Sequence, residues 1–217
     1  LVGLLRRLTG RNYFAAAAGL LFALHPATSE AVHAPGFRAD VLCLLFTLAF
    51  LHGFLAAGPR AVVFRIGGFV SLALALLAKE TAVVAPALLG ALMVLFPAAF
   101  SGARRSKGIG LALAGGMAAL FFALWVALPA DLQAAGGAWN GESLRFPATV
   151  YSAPALWVRT LRLLLVPWPL NVTPGFAPVV SPTSLRSLWG LVWLALAAVG
   201  AWKARRALPE IALGLAW

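Results

Sequence analysis

A chain of 217 residues that is 62% hydrophobic and only 11% charged has too little polar surface to cover a water-soluble fold, so lipid is its expected solvent. The net charge of +11 does not point to nucleic acid, because the basic residues sit in short clusters between apolar runs, where cytoplasmic loops of membrane proteins carry them. The single cysteine, Cys43, excludes an internal disulfide and a thiolate metal site, and its apolar neighbours predict a buried structural thiol.

Taken in chain order, Leu1 to Leu5 reads as the tail of a helix, followed by the first basic cluster, Arg6, Arg7 and Arg11. The apolar segment over 13–24 amounts to roughly 18 Å of helix, short of a hydrocarbon core of about 30 Å. An external turn is expected over 25–40, then a span over 41–57 that returns to Arg60 and Arg65. Spans over 61–78 and 81–100 form a second pair, with Lys79 and Glu80 at their outer junction and Arg104, Arg105 and Lys107 beyond. A span over 109–128 leads into an external region over 129–184. Within it, 151–166 carries Arg159 and Arg162, each costing roughly 2.5–3.5 kcal/mol at a bilayer centre, so this stretch is expected to lie as an amphipathic helix on the outer surface. The span over 185–202 ends at Lys203, Arg205 and Arg206, and 208–217 reads as part of a further crossing. Both ends of the sequence read as cut helices.

The expected fold is therefore an all-α, polytopic transmembrane helix bundle with all four basic clusters in the cytoplasm. That topology places Glu30, Asp40, Glu80, Asp131 and Glu142 outside, which leaves Glu210 as the only cytoplasmic acid.

Two places on the outer face gather reactive side chains. The first turn holds His25, Glu30, His33, Arg38 and Asp40 after a helix too short to reach the surface, and ionisable groups at that depth are candidates for function. The bland reading makes Thr28 or Ser29 a helix cap and sets Asp40 near a positive helix dipole. The second place is the adjacent Lys79 and Glu80, where a lysine at a cavity rim suits a lipid-linked phosphate. There the bland reading is a tight hairpin with Lys79 snorkelling and Glu80 capping the next helix. Arg159 and Arg162 share a helical face and present paired guanidinium groups to phosphate, or anchor to lipid headgroups. Asn171-Val172-Thr173 fits a glycosylation pattern of low specificity. No phosphate-cradling glycine loop, HExxH, GxSxG or fixed-period repeat occurs.

The string LLFALHPATSEAVHAPGFRADVLCLLF, followed some 40 residues later by LALLAKETAVVAPALL, resembles the membrane portion of the transmembrane-and-tetratricopeptide-repeat O-mannosyltransferases and their bacterial relatives. His25-Pro26, Ser29-Glu30-Ala31-Val32, Arg38-Ala39-Asp40 and Lys79-Glu80 match that family's motifs in order and approximate spacing. LRLLLVPWPLNVTPGFAPV looks like its later external segment, and PEIALGLAW like the helix that follows. The resemblance implies a C-type glycosyltransferase fold in which a polyprenyl-phosphate sugar is the donor and transfer, including O-glycosylation of a protein acceptor, occurs on the periplasmic or lumenal side. It implies Asp40 and Glu30 as catalytic carboxylates, with His25, Arg38, Lys79, Glu80 and Arg162 holding substrate. Phe37 departs from the family's Gly before Arg-Ala-Asp, and the loop that carries the principal acid in such enzymes is expected upstream of Leu1.

The Ala, Leu, Arg and Gly bias suggests a bacterial inner membrane with the active face periplasmic. No cofactor is indicated, and a divalent metal stays open. The expected partners are membrane lipid, the lipid-linked donor and a hydroxyl acceptor, not nucleic acid. The rivals are a transporter or flippase and a non-catalytic membrane scaffold; polar groups at one face, without visible repeats, favour surface chemistry over transport.

Overall fold

A computed structural model of the chain describes residues 1–26, 28, 37–100, 104–128, 148–167, 179, 181, 183–204 and 209; of 104, 105, 148 and 149 it describes the backbone alone. Every regular element among the described residues is helical.

Helix α1, Val2–Thr9, buries Leu4 and Leu8 four residues apart and leaves Arg6 and Arg7 exposed in its last turn, where cations complement the helix dipole. Gly10 ends it at φ 70°, its N–H donating to the Arg6 carbonyl, a left-handed turn that suits glycine. Helix α2, Asn12–Leu24, then folds back alongside: the Val2 side chain occupies the space over Gly19, where a Cβ would come within 2.2 Å of it.

Helices α3, Arg38–Leu55, and α4, Ala61–Ala78, form the tightest hairpin of the fold, turning through Gly58 at φ 84°. Their backbones meet at Gly53 and Gly68. A Cβ on Gly53 would lie 2.5 Å from the Phe64 carbonyl oxygen, so only small residues permit this approach. Beside that seam, Phe50 and Phe54 are fully buried edge to face at 5.2 Å, and Phe54 meets Phe69 at 5.6 Å. Leu72, Leu89 and Leu92 complete the centre of the core. Cys43 packs half-buried against the same cluster.

Where the sequence suggests one span over 81–100, the chain makes three pieces: a 3₁₀ helix over Glu80–Val84, helix α5 over Ala85–Leu95, and a second 3₁₀ turn over Pro97–Phe100. Proline explains the division. Pro86 fits the first turn of α5, where its missing N–H costs nothing, whereas Pro97 cannot continue a helix. Helix α6, Arg104–Ala127, returns against the core with Gly110 beneath the Phe54 ring and Ala114 and Ala118 buried.

Helix α7, Ala148–Leu165, packs against α8, Leu185–Ala204, through Gly190, where a Cβ would meet the Pro154 backbone at 2.5 Å. The fully buried Ser152 hydroxyl accepts the Val179 N–H at 2.9 Å and ties the segment before α8 to α7.

Four described helices, Arg38–Leu55, Ala61–Ala78, Ser106–Ala127 and Leu185–Ala204, are long and apolar enough to cross a membrane; Asn12–Leu24 and Glu80–Leu95 are shorter apolar helices. Only 11% to 33% of each long one is buried in protein. Leu77 is 78% exposed and Leu165 75%, apolar surface that lipid can cover and water cannot. The chain thus has the build of an integral membrane protein.

Charge is sorted between the ends of the hairpin. Arg7, Leu55, Ala56, Ala57, Phe64 and Ala99 line one cavity of about 380 Å³, which gathers the last turn of α1, the α3/α4 turn and the approach to α6 at one end. Asp40 and Lys79 lie at the opposite end, where α3 begins and α4 stops.

Candidate functional site

An antiparallel hairpin brings the start of one helix beside the end of the other, and here that places two charges together. Asp40 is the third residue of α3 and Lys79 the first residue past α4; the Lys79 ammonium donates to the Asp40 carboxylate across 39 positions of sequence. Lys79 reaches it from extended backbone, φ −159° and ψ 135°, which any residue adopts. Asp40 also stands in the first turn of α3, where a carboxylate meets the positive end of the helix dipole. The Lys79 and Asp40 side chains keep 30% and 36% of their surface exposed.

His25 supplies a second link. Its Nε2–H donates to the Leu164 carbonyl at 3.0 Å, since a carbonyl can only accept, and this satisfies one of the orphan carbonyls in the last turn of α7. The end of α2 is thereby joined to a segment 139 positions away. Arg162 lies exposed in that same last turn of α7. Thr28 holds the chain next to His25: its hydroxyl reaches the carbonyls of His25, at 2.7 Å, and Phe22, at 3.2 Å.

Some capping expectations change. Thr28 closes the C-terminal end of α2 rather than capping a following helix, because its hydroxyl bonds carbonyls of the preceding turn. Phe37 occupies the N-cap position of α3 and makes no side-chain cap bond, while Asp40 turns to Lys79. Glu80 opens the 3₁₀ helix, which has no side-chain cap bond. Its side chain is exposed, as is that of Arg38. Glu30 and His33 lie outside the described residues, as do Asp131, Glu142 and Asn171. Among the described residues, no three His, Cys, Asp or Glu side chains gather as a metal ligand set.

An apolar groove of about 310 Å³ opens between α1, α2, α3 and α5. It begins at Phe22, three residues before His25, and at Leu44, one turn into α3 from Asp40, and continues past Leu48, Leu51 and Leu88. Asp40, with Lys79 paired to it, therefore stands about one helical turn, roughly 5 Å, beyond Leu44 at the edge of this apolar slot, and His25 follows Phe22 by three residues.

Sequence reading missed the Leu164 carbonyl, and nothing in a side-chain pattern announces a backbone acceptor. It also missed that Lys107 points inward, although Lys107, Gly110, Ala114 and Ala118 recur at helical spacing on the buried face of α6.

No protein-family model, curated protein or solved structure matches this chain.

Proposed function

We propose that this protein is a membrane glycosyltransferase of the C-type kind, moving a sugar from a polyprenyl-phosphate donor to a hydroxyl acceptor at the membrane face that carries Asp40 and Lys79. The observation that carries the reading is the half-exposed Asp40–Lys79 pair above the apolar groove. An ion pair this accessible contributes at most about 1 kcal/mol to stability, too little to account for a lysine and an aspartate at the edge of so apolar a fold. A phosphate can replace the carboxylate as the partner of Lys79, and the released Asp40 is then available as a base. The groove suits the hydrocarbon tail of the donor, with Arg162 and Arg38 as further cations for its phosphate.

In this scheme the carboxylate of Asp40, with Glu30 as a second candidate, accepts the proton of the acceptor hydroxyl. The acceptor oxygen bonds to the anomeric carbon as the carbon–oxygen bond to phosphate breaks, and its electron pair leaves with the phosphate, where Lys79 stabilises the charge. A single displacement of this kind inverts the anomeric centre. The periplasmic side of a bacterial inner membrane is the proposed location.

The test is transfer of labelled sugar from a lipid-linked donor by the full-length purified protein, measured beside donor binding. Lys79→Met is expected to weaken donor binding roughly a hundredfold, the equivalent of one positioned charge-assisted contact of about 3 kcal/mol. Asp40→Asn is expected to lower turnover by a similar factor with donor binding largely kept. Wild-type transfer by both well-folded variants would remove the pair from any active site.

A further inference from the structure

The opposite end of the molecule holds cations in a different setting. Lys107, in the first turn of α6, is only 2% exposed, and its ammonium lies 5.3 Å from the centre of the Phe100 ring. Arg65, in the second turn of α4, donates from Nη1 to the Ser106 hydroxyl at 2.6 Å, while its Nε–H is buried and has no hydrogen-bond partner among the described residues. Ser106 precedes Lys107, so the two cations belong to one neighbourhood. Helices α4 and α6 both begin there, and neither has an acidic residue in its first turn. Two helix N-termini thus add positive potential to two positive side chains. Among the described residues the only ion pair is Lys79 with Asp40, at the far end of the hairpin.

Such an arrangement is costly as it stands. A buried N–H without an acceptor loses its hydration, and like charges withdrawn from water repel one another more strongly than on a surface. An aromatic face offsets part of this for Lys107 but does nothing for the guanidinium. A tetrahedral anion with several acceptor oxygens answers every term at once: it offers acceptors to Arg65, a counter-charge to Lys107 and a negative group to both helix ends.

We infer that Arg65 and Lys107, at the converging N-termini of α4 and α6, form a binding site for a phosphate group. The headgroup phosphate of an anionic phospholipid and free inorganic phosphate share this chemistry. The site stands apart from the proposed transfer reaction and does not depend on it.

Lys107→Met gives a test whose sign is diagnostic. Without an anion the variant loses a buried, repelled charge and is expected to unfold at a higher temperature than the wild type; with the anion bound that order is expected to reverse. The full-length protein would be melted in neutral detergent alone, then with phosphatidylcholine, with phosphatidylglycerol, and with inorganic phosphate at matched ionic strength. Reversal with phosphatidylglycerol and not with phosphate identifies a lipid headgroup site; reversal with phosphate as well identifies a site for the free anion. Either supports the inference. Titration of phosphatidylglycerol should show affinity lowered roughly ten- to a hundredfold by Arg65→Gln, and left unchanged by Arg60→Gln, which removes an exposed cation of the same cluster. The same order of stability in all four conditions, or an Arg60→Gln loss equal to that of Arg65→Gln, would overturn it.

Discussion

At one end of the α3–α4 hairpin an acid and a base meet as a half-exposed pair; at the other, Lys107 and Arg65 share a partly buried neighbourhood in which the described residues supply no carboxylate. Asp40 and Lys79 neutralise each other at little net gain, so a ligand can exchange with either partner at little cost. Among the described residues Lys107 and Arg65 have no such internal settlement, and the anion proposed for them would come from outside. The two phosphate sites proposed above thus rest on opposite conditions, one on exchange and one on need. An 18-residue helix of roughly 27 Å separates the two ends, so changes at one should add to changes at the other.

Topology sets the two ends apart most sharply. If the two ends face opposite sides of a membrane, single cysteines at Thr81 and Arg60, both exposed, in a Cys43→Ala background will differ completely toward an impermeant thiol reagent in intact cells. Thr81→Cys is expected to label and Arg60→Cys to stay protected; equal labelling would place both ends on one side. Next in size is the hairpin itself. Gly53→Val drives side-chain atoms into the Phe64 carbonyl and the Gly68 backbone and should cost about 3 kcal/mol, read from unfolding in mixed micelles of mild detergent and dodecyl sulfate. A neutral result would mean that the glycine seam does not hold the ends apart.

The smaller effects sharpen what the acid–base pair is for. Exchanging its members, Asp40→Lys with Lys79→Asp, should leave stability within about 1 kcal/mol of the wild type while transfer stays down roughly a hundredfold. Full recovery of transfer in the exchanged protein would reduce the pair to a clamp. Smallest of all, Asp40→Asn should shift unfolding by less than about 1 kcal/mol, because the carboxylate is more than a third exposed. A loss of several kcal/mol in that variant would make the aspartate structural.

Much of the outline is legible in the order of residues alone. The lengths of the apolar runs and the basic clusters between them are local properties, written in consecutive residues and read by counting. So the all-helical architecture, the helices near 41–57, 61–78, 109–128 and 185–202, and the standing of Asp40, Lys79 and His25 as candidate residues follow from the order of residues. The break of 81–100 into three pieces is also written locally, at Pro86 and Pro97, yet run length and hydropathy, which suggest a single span there, do not register it.

Which groups meet depends on how the helices pack. Lys79 has Glu80 beside it in the chain yet pairs with Asp40, because the Gly53–Gly68 seam draws α3 and α4 together and aligns their ends. His25 finds the Leu164 carbonyl, an acceptor every residue carries and no sequence pattern marks. Lys107 belongs by composition to a basic cluster of the exposed kind, but its place on α6, in register with Gly110 and Ala114, turns it beneath Phe100. In each case the deciding contact joins separate elements, and its partner follows from how helices pack rather than from which residues stand next to one another.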